Sequence, residues 1–140
     1  MTYRREIAIE FNHCDPAGIV FYPRYFEMLN SVIENFFADA LGRSFAAITL
    51  RDGCGVPTVR IETDFRRPSR LGERVEFGLR VAAVGRSSAD FIITATGPDG
   101  TLRLTSRQRI VWVGQDARAA SWPDDLRAAL TARIDEPEAP

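Results

Sequence analysis

The 140-residue sequence contains no lysine, one histidine and only two cysteines. A single histidine leaves too few ligands for most zinc sites. Cys14 and Cys54 form neither a CxxC pattern nor a disulfide framework. We therefore expect two free thiols in a reducing compartment, and no metal or redox cofactor.

Long hydrophobic runs are absent as well. No apolar stretch approaches the roughly 18 residues that span a bilayer, and the N-terminal MTYRREIAIEF alternates apolar and charged residues, unlike a secretory signal. A cytoplasmic location is the expectation. The net charge of -1 argues against a general nucleic-acid-binding surface. Length and composition predict one globular core.

A wide apolar stripe predicts one long helix in the first third of the chain. From Pro23 to about Leu41, apolar side chains recur at helical spacing, and Gly42 stands where helices commonly stop. The stripe comprises Phe26, Leu29, Val32, Ile33, Phe36, Phe37, Ala40 and Leu41. Because it is broad and rich in phenylalanine, we expect a large sheet to cover it.

Alternation of apolar residues predicts five strands, one before the helix and four after it. The connections between the four later strands, RRPSRLGE, VGRSS and GPDG, are too short for a crossover helix, so these consecutive strands should be antiparallel neighbours. The positions predicted to face inward are Ile7, Ile9 and Phe11; Val59, Ile61, Thr63 and Phe65; Val75, Phe77, Leu79, Val81 and Ala83; Ala89, Phe91, Ile93 and Ala95; and Leu102, Leu104, Ile110 and Trp112. The predicted fold class is α+β, a curved sheet wrapped around one helix.

The C-terminal residues 115–140 are predicted to be a tail that packs on or flanks a domain of residues 1–114. The segment SWPDDLRAALTARI is typical of a short helix, with Ser121 near its cap and Pro123 in its first turn. The final EPEAP is expected to be frayed.

The segment NHCDPAGIVFYPRYFEML, residues 12–29, carries the candidate chemistry. His13, Cys14 and Asp15 are consecutive, so they cannot converge as nucleophile, base and orienting acid. Asp15 is the remaining candidate. Its simpler interpretation is structural, because DPAG is good turn chemistry in which the carboxylate accepts local backbone N–H groups.

The helix start that follows favours a chemical role. Tyr22, near the helix cap, cannot accept the first N–H groups of the helix, which therefore stay free for a partial negative charge such as a polarised carbonyl oxygen. Ile19, Val20 and Phe21 would line a dry site beside it. A carboxylate and a helix N-terminus together suit attack on an acyl carbon. The structural alternative is that IVFY simply plugs the core beneath the loop.

The segment DPAGIVFYPRYFEML resembles the active-site segment of the 4-hydroxybenzoyl-CoA thioesterase family, acyl-CoA thioesterases of hot-dog fold. The element order agrees to about residue 113, and the matching motif positions are Asp15, Gly18, Phe21, Tyr22, Pro23 and Tyr25. The resemblance implies a five- or six-stranded antiparallel sheet around the helix. It also implies a homodimer or homotetramer with active sites at the subunit interface.

The reaction implied by this resemblance is hydrolysis of an acyl-CoA thioester. Asp15, ionised at neutral pH, would act as nucleophile or as general base towards water. The backbone amide of Tyr22 would polarise the thioester carbonyl. The residues expected to bind substrate are Gly18, Ile19, Val20, Phe21, Tyr25, Asn30, Arg86, Ser87 and Ser88.

Three parts of this set have alternatives. The turn VGRSS, which contains residues 86–88, either binds the CoA nucleotide or is only a solvated hairpin turn. The second candidates for binding the CoA phosphates are Arg66, Arg67 and Arg70. His13 either touches substrate or orients Asp15, or is a loop residue bonded to backbone. In relatives that accept hydroxylated aromatic groups, an acid stands at the position of Asn30. Because asparagine is not an acid, we do not expect 4-hydroxybenzoyl specificity. The expected acyl group is aromatic or of medium chain length.

Two other functions remain open from sequence. A non-catalytic acyl-CoA-binding or regulatory module would keep the pocket without needing Asp15. A hydratase or dehydratase acting on acyl thioesters would usually pair a histidine with an acid, for which His13 and Asp15 have the wrong spacing. At least a dimer is expected on physical grounds, because the sheet edges would otherwise remain open.

Overall fold

The structure, a computed structural model, describes residues 1–134, and the predicted EPEAP end lies outside the described residues. The elements are β1 (Tyr3–Ala8), α1 (Tyr22–Asp39), β2 (Thr58–Phe65), β3 (Arg74–Val84), β4 (Ser88–Thr96), β5 (Leu102–Val111) and α2 (Asp124–Thr131). Two short helical segments, Phe11–His13 and Ala47–Arg51, lie in the loops on either side of α1.

The five strands form one antiparallel sheet in the order β1-β3-β4-β5-β2. This confirms the predicted α+β fold with five strands. The expectation that all consecutive strands are neighbours is wrong at one connection: β2 pairs with β5, whereas β3 lies between β1 and β4. The loop of residues 66–73 therefore links an edge strand to an interior strand of the sheet.

The apolar side of α1 packs on the sheet, over β1 and β3. Its buried residues are Tyr25, Met28, Leu29, Val32, Ile33, Phe36 and Phe37. The Phe36 ring meets the Phe91 ring of β4 edge-on, with centroids 5.5 Å apart. After the helix ends, Gly42 adopts a φ of 72°, the left-handed conformation that a helix stop favours.

Six predicted inward positions are wrong, and three of them lie outside β2. Phe11 is 83% exposed, because β1 ends at Ala8 and the chain turns into a short helical segment. Ala83 is exposed because the register shifts after Val81, which turns Val84 towards the core instead. Leu102, the first residue of β5, is also exposed.

The edge strand β2 is uncovered on the face that was predicted to be core. Val59, Ile61 and Phe65 are 58%, 45% and 46% exposed, because α1 packs mainly over β1 and β3 and reaches only the Phe65 end of β2. Thr63 is partly buried and its hydroxyl lies 2.8 Å from the Ser106 hydroxyl of β5. The apolar pattern of β2 therefore describes a surface of this chain rather than its interior.

The tail closes one end of the core. Trp122 is buried, its indole N–H donates to Ser88 O over 3.0 Å, and its ring packs against Phe37 and Trp112. Helix α2 begins at Asp124 with Pro123 as its N-cap, so Pro123 stands just before the first turn rather than in it, and Ser121 lies two residues before the cap. None of the helices within residues 1–134 is both long and apolar enough to cross a bilayer.

Candidate active site

A two-stranded hairpin connects the candidate acid to the start of α1. Cys14 and Val20 form an antiparallel bridge, and Phe21 N–H donates to His13 O over 2.9 Å. Phe21 is also the N-cap of α1. The hairpin that carries Asp15 therefore leads directly into the first turn of the helix.

The turn of this hairpin uses Asp15 as the sequence predicted for its structural role. Asp15 Oδ1 accepts Ala17 N–H at 2.9 Å, and Asp15 O accepts Gly18 N–H at 2.9 Å. Gly18 has a φ of 75°, which glycine adopts without steric cost. Across the described residues Asp15 Oδ2 makes no hydrogen bond. One carboxylate oxygen thus holds the turn while the other is free.

The first N–H of α1 also lacks an acceptor. Tyr22 begins the helix, its N-cap Phe21 supplies no side-chain cap, and Pro23 has no N–H. Arg24 N–H donates to Phe21 O over 2.8 Å, whereas Tyr22 N–H finds no acceptor among residues 1–134. A free N–H at a helix start is the donor that an oxyanion site requires.

A cleft of about 270 Å³ opens beside this helix start. The Phe65 ring centroid lies 6.2 Å from that of Tyr22 and 5.8 Å from that of Tyr25. The lining residues are Val20, Tyr22, Tyr25, Phe65, Arg66, Arg67 and Pro68. Sequence reasoning placed Phe65 in the core; its position as the last apolar residue of β2, directly before two arginines, was the available signal for a cleft wall.

The hairpin is supported from outside by the loop of residues 66–73. This loop carries the arginines that are the second candidates for phosphate binding, and it places Arg66 and Arg67 at the cleft. It runs alongside the second half of the hairpin. The contacts are a bridge between Ile19 and Arg70, a hydrogen bond from Val20 N–H to Ser69 O at 2.9 Å, and one from Leu71 N–H to Gly18 O at 3.0 Å.

His13 lies on the other side of the hairpin. Its Nδ1 accepts Glu10 N–H over 2.9 Å, and the ring lines a separate cleft of about 360 Å³ with Arg5 and Arg24. Within the described part of the chain, His13 makes no hydrogen bond to the Asp15 carboxylate. The His13 ring is therefore hydrogen-bonded to the backbone, which is the arrangement expected of a loop residue.

The remaining predicted substrate residues lie away from the cleft. Asn30 is exposed on α1 and does not line it. Residues 86–88 lie at the far end of β3, a strand of 11 residues, which is roughly 30 Å from the hairpin end at about 3.3 Å per residue. There Arg86 O accepts hydrogen bonds from Trp122 N–H and the Arg127 guanidinium.

Tyr25 is the predicted substrate residue that lies deepest in the protein. Its hydroxyl oxygen is buried and has no hydrogen-bond partner of normal geometry in the described residues. Burial raises the pKa of this hydroxyl, against the opposing influence of Ser69 and Arg103. For metal ligation, no three His, Cys, Asp or Glu side chains converge within residues 1–134.

Comparison with protein families gives one match over most of the chain. Residues 9–130 match the thioesterase-like superfamily, so the match includes most of α2. A 1,4-dihydroxy-2-naphthoyl-CoA hydrolase of Synechococcus elongatus is 33% identical over 87 residues. That alignment covers 60% of this chain and 62% of the relative, so the matched region spans less than two thirds of the relative's length.

Solved structures show the same fold at lower identity. A 1,4-dihydroxy-2-naphthoyl-CoA thioesterase from Synechocystis superposes with a TM-score of 0.84 at 18% identity, covering 98% of this chain and 100% of that one. A 4-hydroxybenzoyl-CoA thioesterase mutant in complex with 4-hydroxybenzoyl-CoA gives 0.84 at 23% identity, covering 92% and 98%. The hot-dog architecture therefore extends over nearly the whole chain.

Proposed function

The chain belongs to the thioesterase-like superfamily, and on that premise we propose that it hydrolyses an acyl-CoA thioester to a free acid and CoA. The observation that carries this proposal is the hairpin, which joins a carboxylate with one free oxygen to a helix start with one free N–H. Acyl transfer needs a nucleophile or base, which the carboxylate supplies, and a donor that stabilises the oxyanion, which the N–H supplies.

In the proposed reaction the Tyr22 N–H donates to the thioester carbonyl oxygen, which gains negative charge as the carbonyl carbon is attacked. Asp15 either attacks that carbon itself or removes a proton from the attacking water. If Asp15 is the nucleophile, the carbon–sulfur bond breaks to give an acyl–aspartyl anhydride, which water then hydrolyses to the free acid and the Asp15 carboxylate. If Asp15 is the base, the water oxygen bonds the acyl carbon directly as the carbon–sulfur bond breaks. In both cases the CoA thiolate takes up a proton released by the water and leaves as the thiol. His13, which accepts Glu10 N–H and lines a separate cleft, takes no part in this step.

For the acyl group we propose an aromatic ring first and a medium-length chain second. Tyr22, Tyr25 and Phe65 surround the cleft, and rings of this kind favour edge-on or offset contacts with another ring. The relatives named above act on aromatic acyl-CoA, which supports the same order. Arg66 and Arg67 at the cleft are cations suited to CoA phosphates.

We propose that two copies pair through β2 and complete the site. An open edge with exposed Val59, Ile61 and Phe65 is suited to pairing with a second copy of itself. An antiparallel pairing would bring the Phe65 end of one copy to the Thr58 end of the other. Because Thr58 pairs with Ile110 and Ser88 with Val111, residues 86–88 of a second copy would then approach the cleft.

Release of free thiol from a panel of aromatic and straight-chain acyl-CoAs tests the function, with wild type beside Asp15→Asn. Asparagine keeps an oxygen for the Ala17 N–H but cannot act as nucleophile or base. We expect release to fall at least about a hundredfold. Asp116→Asn is the matched control, because Asp116 Oδ1 accepts Arg118 N–H at 3.0 Å in a similar turn.

Each other outcome has a defined meaning. Equal release by both proteins would leave Asp15 with its turn role alone. Tight acyl-CoA binding without any release would indicate a binding module. Conversion of an enoyl-CoA or hydroxyacyl-CoA without CoA release would indicate a hydratase or dehydratase.

A further inference from the structure

A buried arginine lies beneath the loop that supports the hairpin. Arg103 of β5 is only 3% exposed, and the five N–H groups of its guanidinium face six acceptor atoms. The acceptors are Thr101 Oγ1 at 2.9 Å, Pro68 O at 3.0 Å, Ser69 Oγ at 3.2 Å, Glu73 Oε1 and Oε2 at 2.9 and 3.1 Å, and Asp99 Oδ1 at 3.0 Å. Such full pairing is what makes a buried guanidinium tolerable.

The surroundings are shaped to this side chain. A Cβ at Gly97 would lie 2.1 Å from Arg103 Nη2, so only glycine leaves room for the guanidinium there. Glu73 meets it in a two-pronged pair, a geometry that lysine cannot reproduce. The position therefore requires arginine by shape as well as by charge.

The acceptors of Arg103 lead to the hairpin through one short segment. Pro68, Ser69 and Glu73 all belong to the loop of residues 66–73. The same Ser69 whose hydroxyl meets Arg103 accepts Val20 N–H with its carbonyl oxygen at 2.9 Å. One residue thus separates the guanidinium from the hairpin that carries Asp15.

The same cluster reaches the helix start. Tyr25, in the first turn of α1, is buried and its hydroxyl lies close enough to Ser69 and Arg103 for both to act on its pKa. Pro68 of the loop and Tyr25 also line the same cleft. The loop held by Arg103 therefore bonds the hairpin that carries Asp15 and lies beside the first turn of α1.

We propose that Arg103 is a positioning residue, which fixes the hairpin carrying Asp15 relative to the start of α1 without touching substrate. This role rests on the proposed thioesterase function for its kinetic consequence. Displacements of about 1 Å in an active site cost up to about a hundredfold in rate, so the loss of this anchor should lower turnover more than binding.

The test compares Arg103→Met and Arg103→Lys with Arg109→Met. Arg109 is the matched control, because it lies on the same strand and pairs in two-pronged fashion with Asp90 at 2.7 and 3.1 Å, but its side chain is half-exposed. We expect both Arg103 variants to lower kcat about tenfold to a hundredfold while KM changes less than about threefold. Arg109→Met should leave both constants near wild type.

A double variant separates positioning from stability. Arg103→Met leaves Glu73 without its partner, which by itself destabilises the fold. In Arg103→Met/Glu73→Leu the unpaired Glu73 carboxylate is gone, and Asp99, whose side chain is 58% exposed, keeps its hydrogen bonds from Thr101, so we expect the unfolding temperature to recover while kcat stays low. Recovery of kcat together with stability would overturn the proposal.

Hydrogen exchange gives a readout that does not depend on the function. In Arg103→Lys, the amides of Val20 and Leu71, which bond Ser69 O and Gly18 O, should exchange at least about tenfold faster, while amides of the β3–β4 ladder stay protected. Unchanged exchange at both amides would overturn the positioning role whatever the activity. Faster exchange in a protein that hydrolyses no thioester would uphold it and reject the thioesterase instead.

Discussion

In the proposed mechanism, the single side chain of Asp15 would serve a turn and a reaction at once. Oδ1 accepts the Ala17 N–H and so fixes the turn, while Oδ2 has no partner within residues 1–134. The turn interpretation and the chemical one were alternatives in the sequence, since DPAG suits both. The structure makes them compatible, because each needs a different oxygen of the same carboxylate.

The pair of Glu73 with Arg103 predicts a pH dependence of stability. Hydrogen bonding from Arg103 lowers the pKa of Glu73 below its ordinary 4.5. A lowered folded-state pKa means that the pair stabilises fully above the unfolded-state value, and that this contribution is lost as the pH falls through the folded-state pKa. In urea unfolding at pH 7, the free energy of unfolding of wild type should exceed that of Glu73→Gln. The difference between the two free energies should shrink below about pH 4.5. A constant difference from pH 7 to 3 would contradict this assignment.

The helix start is the element on which the proposed chemistry depends. Its lack of a capping side chain was readable from sequence, because Phe21 and Tyr22 precede Pro23 and none of them can cap. The length of α1 was also readable from the apolar stripe. Periodicity could not predict that the loop of residues 66–73 bonds the hairpin, because these two segments are distant in the chain.

Proline at the first helical position gives a direct test of the Tyr22 N–H. Tyr22→Pro removes that N–H, yet proline suits this position and the extended backbone of Phe21, with φ −72° and ψ 121°. Tyr22→Ala loses the ring but keeps the N–H. We expect thiol release by the proline variant to be about a hundredfold to a thousandfold below that of the alanine variant.

Circular dichroism and thermal unfolding should show that both Tyr22 variants keep α1. No hydrogen bond to Tyr22 N–H is lost among the described residues when the proline is introduced. Equal rates for the two folded variants would remove the amide from the proposed mechanism and leave the ring of Tyr22 as the only contribution of this residue.

At the scale of the whole molecule, the sequence predicted which segments form strands better than it predicted the order of those strands in the sheet. Apolar alternation identified every strand, but it could not show that β2 would pair with β5 at an edge, away from β3. For the same reason Val59, Ile61 and Phe65 were misplaced in the core: alternation records which side of a strand is apolar, not what covers that side. The register shift after Val81 is likewise set by strand pairing.

The open edge predicts the assembly state. Sedimentation at micromolar concentration should show a species larger than the 15.7 kDa chain. Ile61→Glu places a charge on the exposed edge strand and should shift the protein towards monomer, because two copies would bring like charges together. Phe11→Glu, at a more exposed site beyond the opposite edge strand β1, should not. A monomeric wild type would reject the pairing.

The packing of Trp122 on Phe37 has a consequence for synthesis on the ribosome. The helix that presents Phe37 emerges early, whereas Trp122, Leu126 and Leu130, all buried, emerge after every strand has been made. One end of α1 therefore stays uncovered through most of translation, a state in which apolar surface invites aggregation. Nascent chains released before α2 should bind chaperones that hold exposed apolar segments, and chains released after it should not.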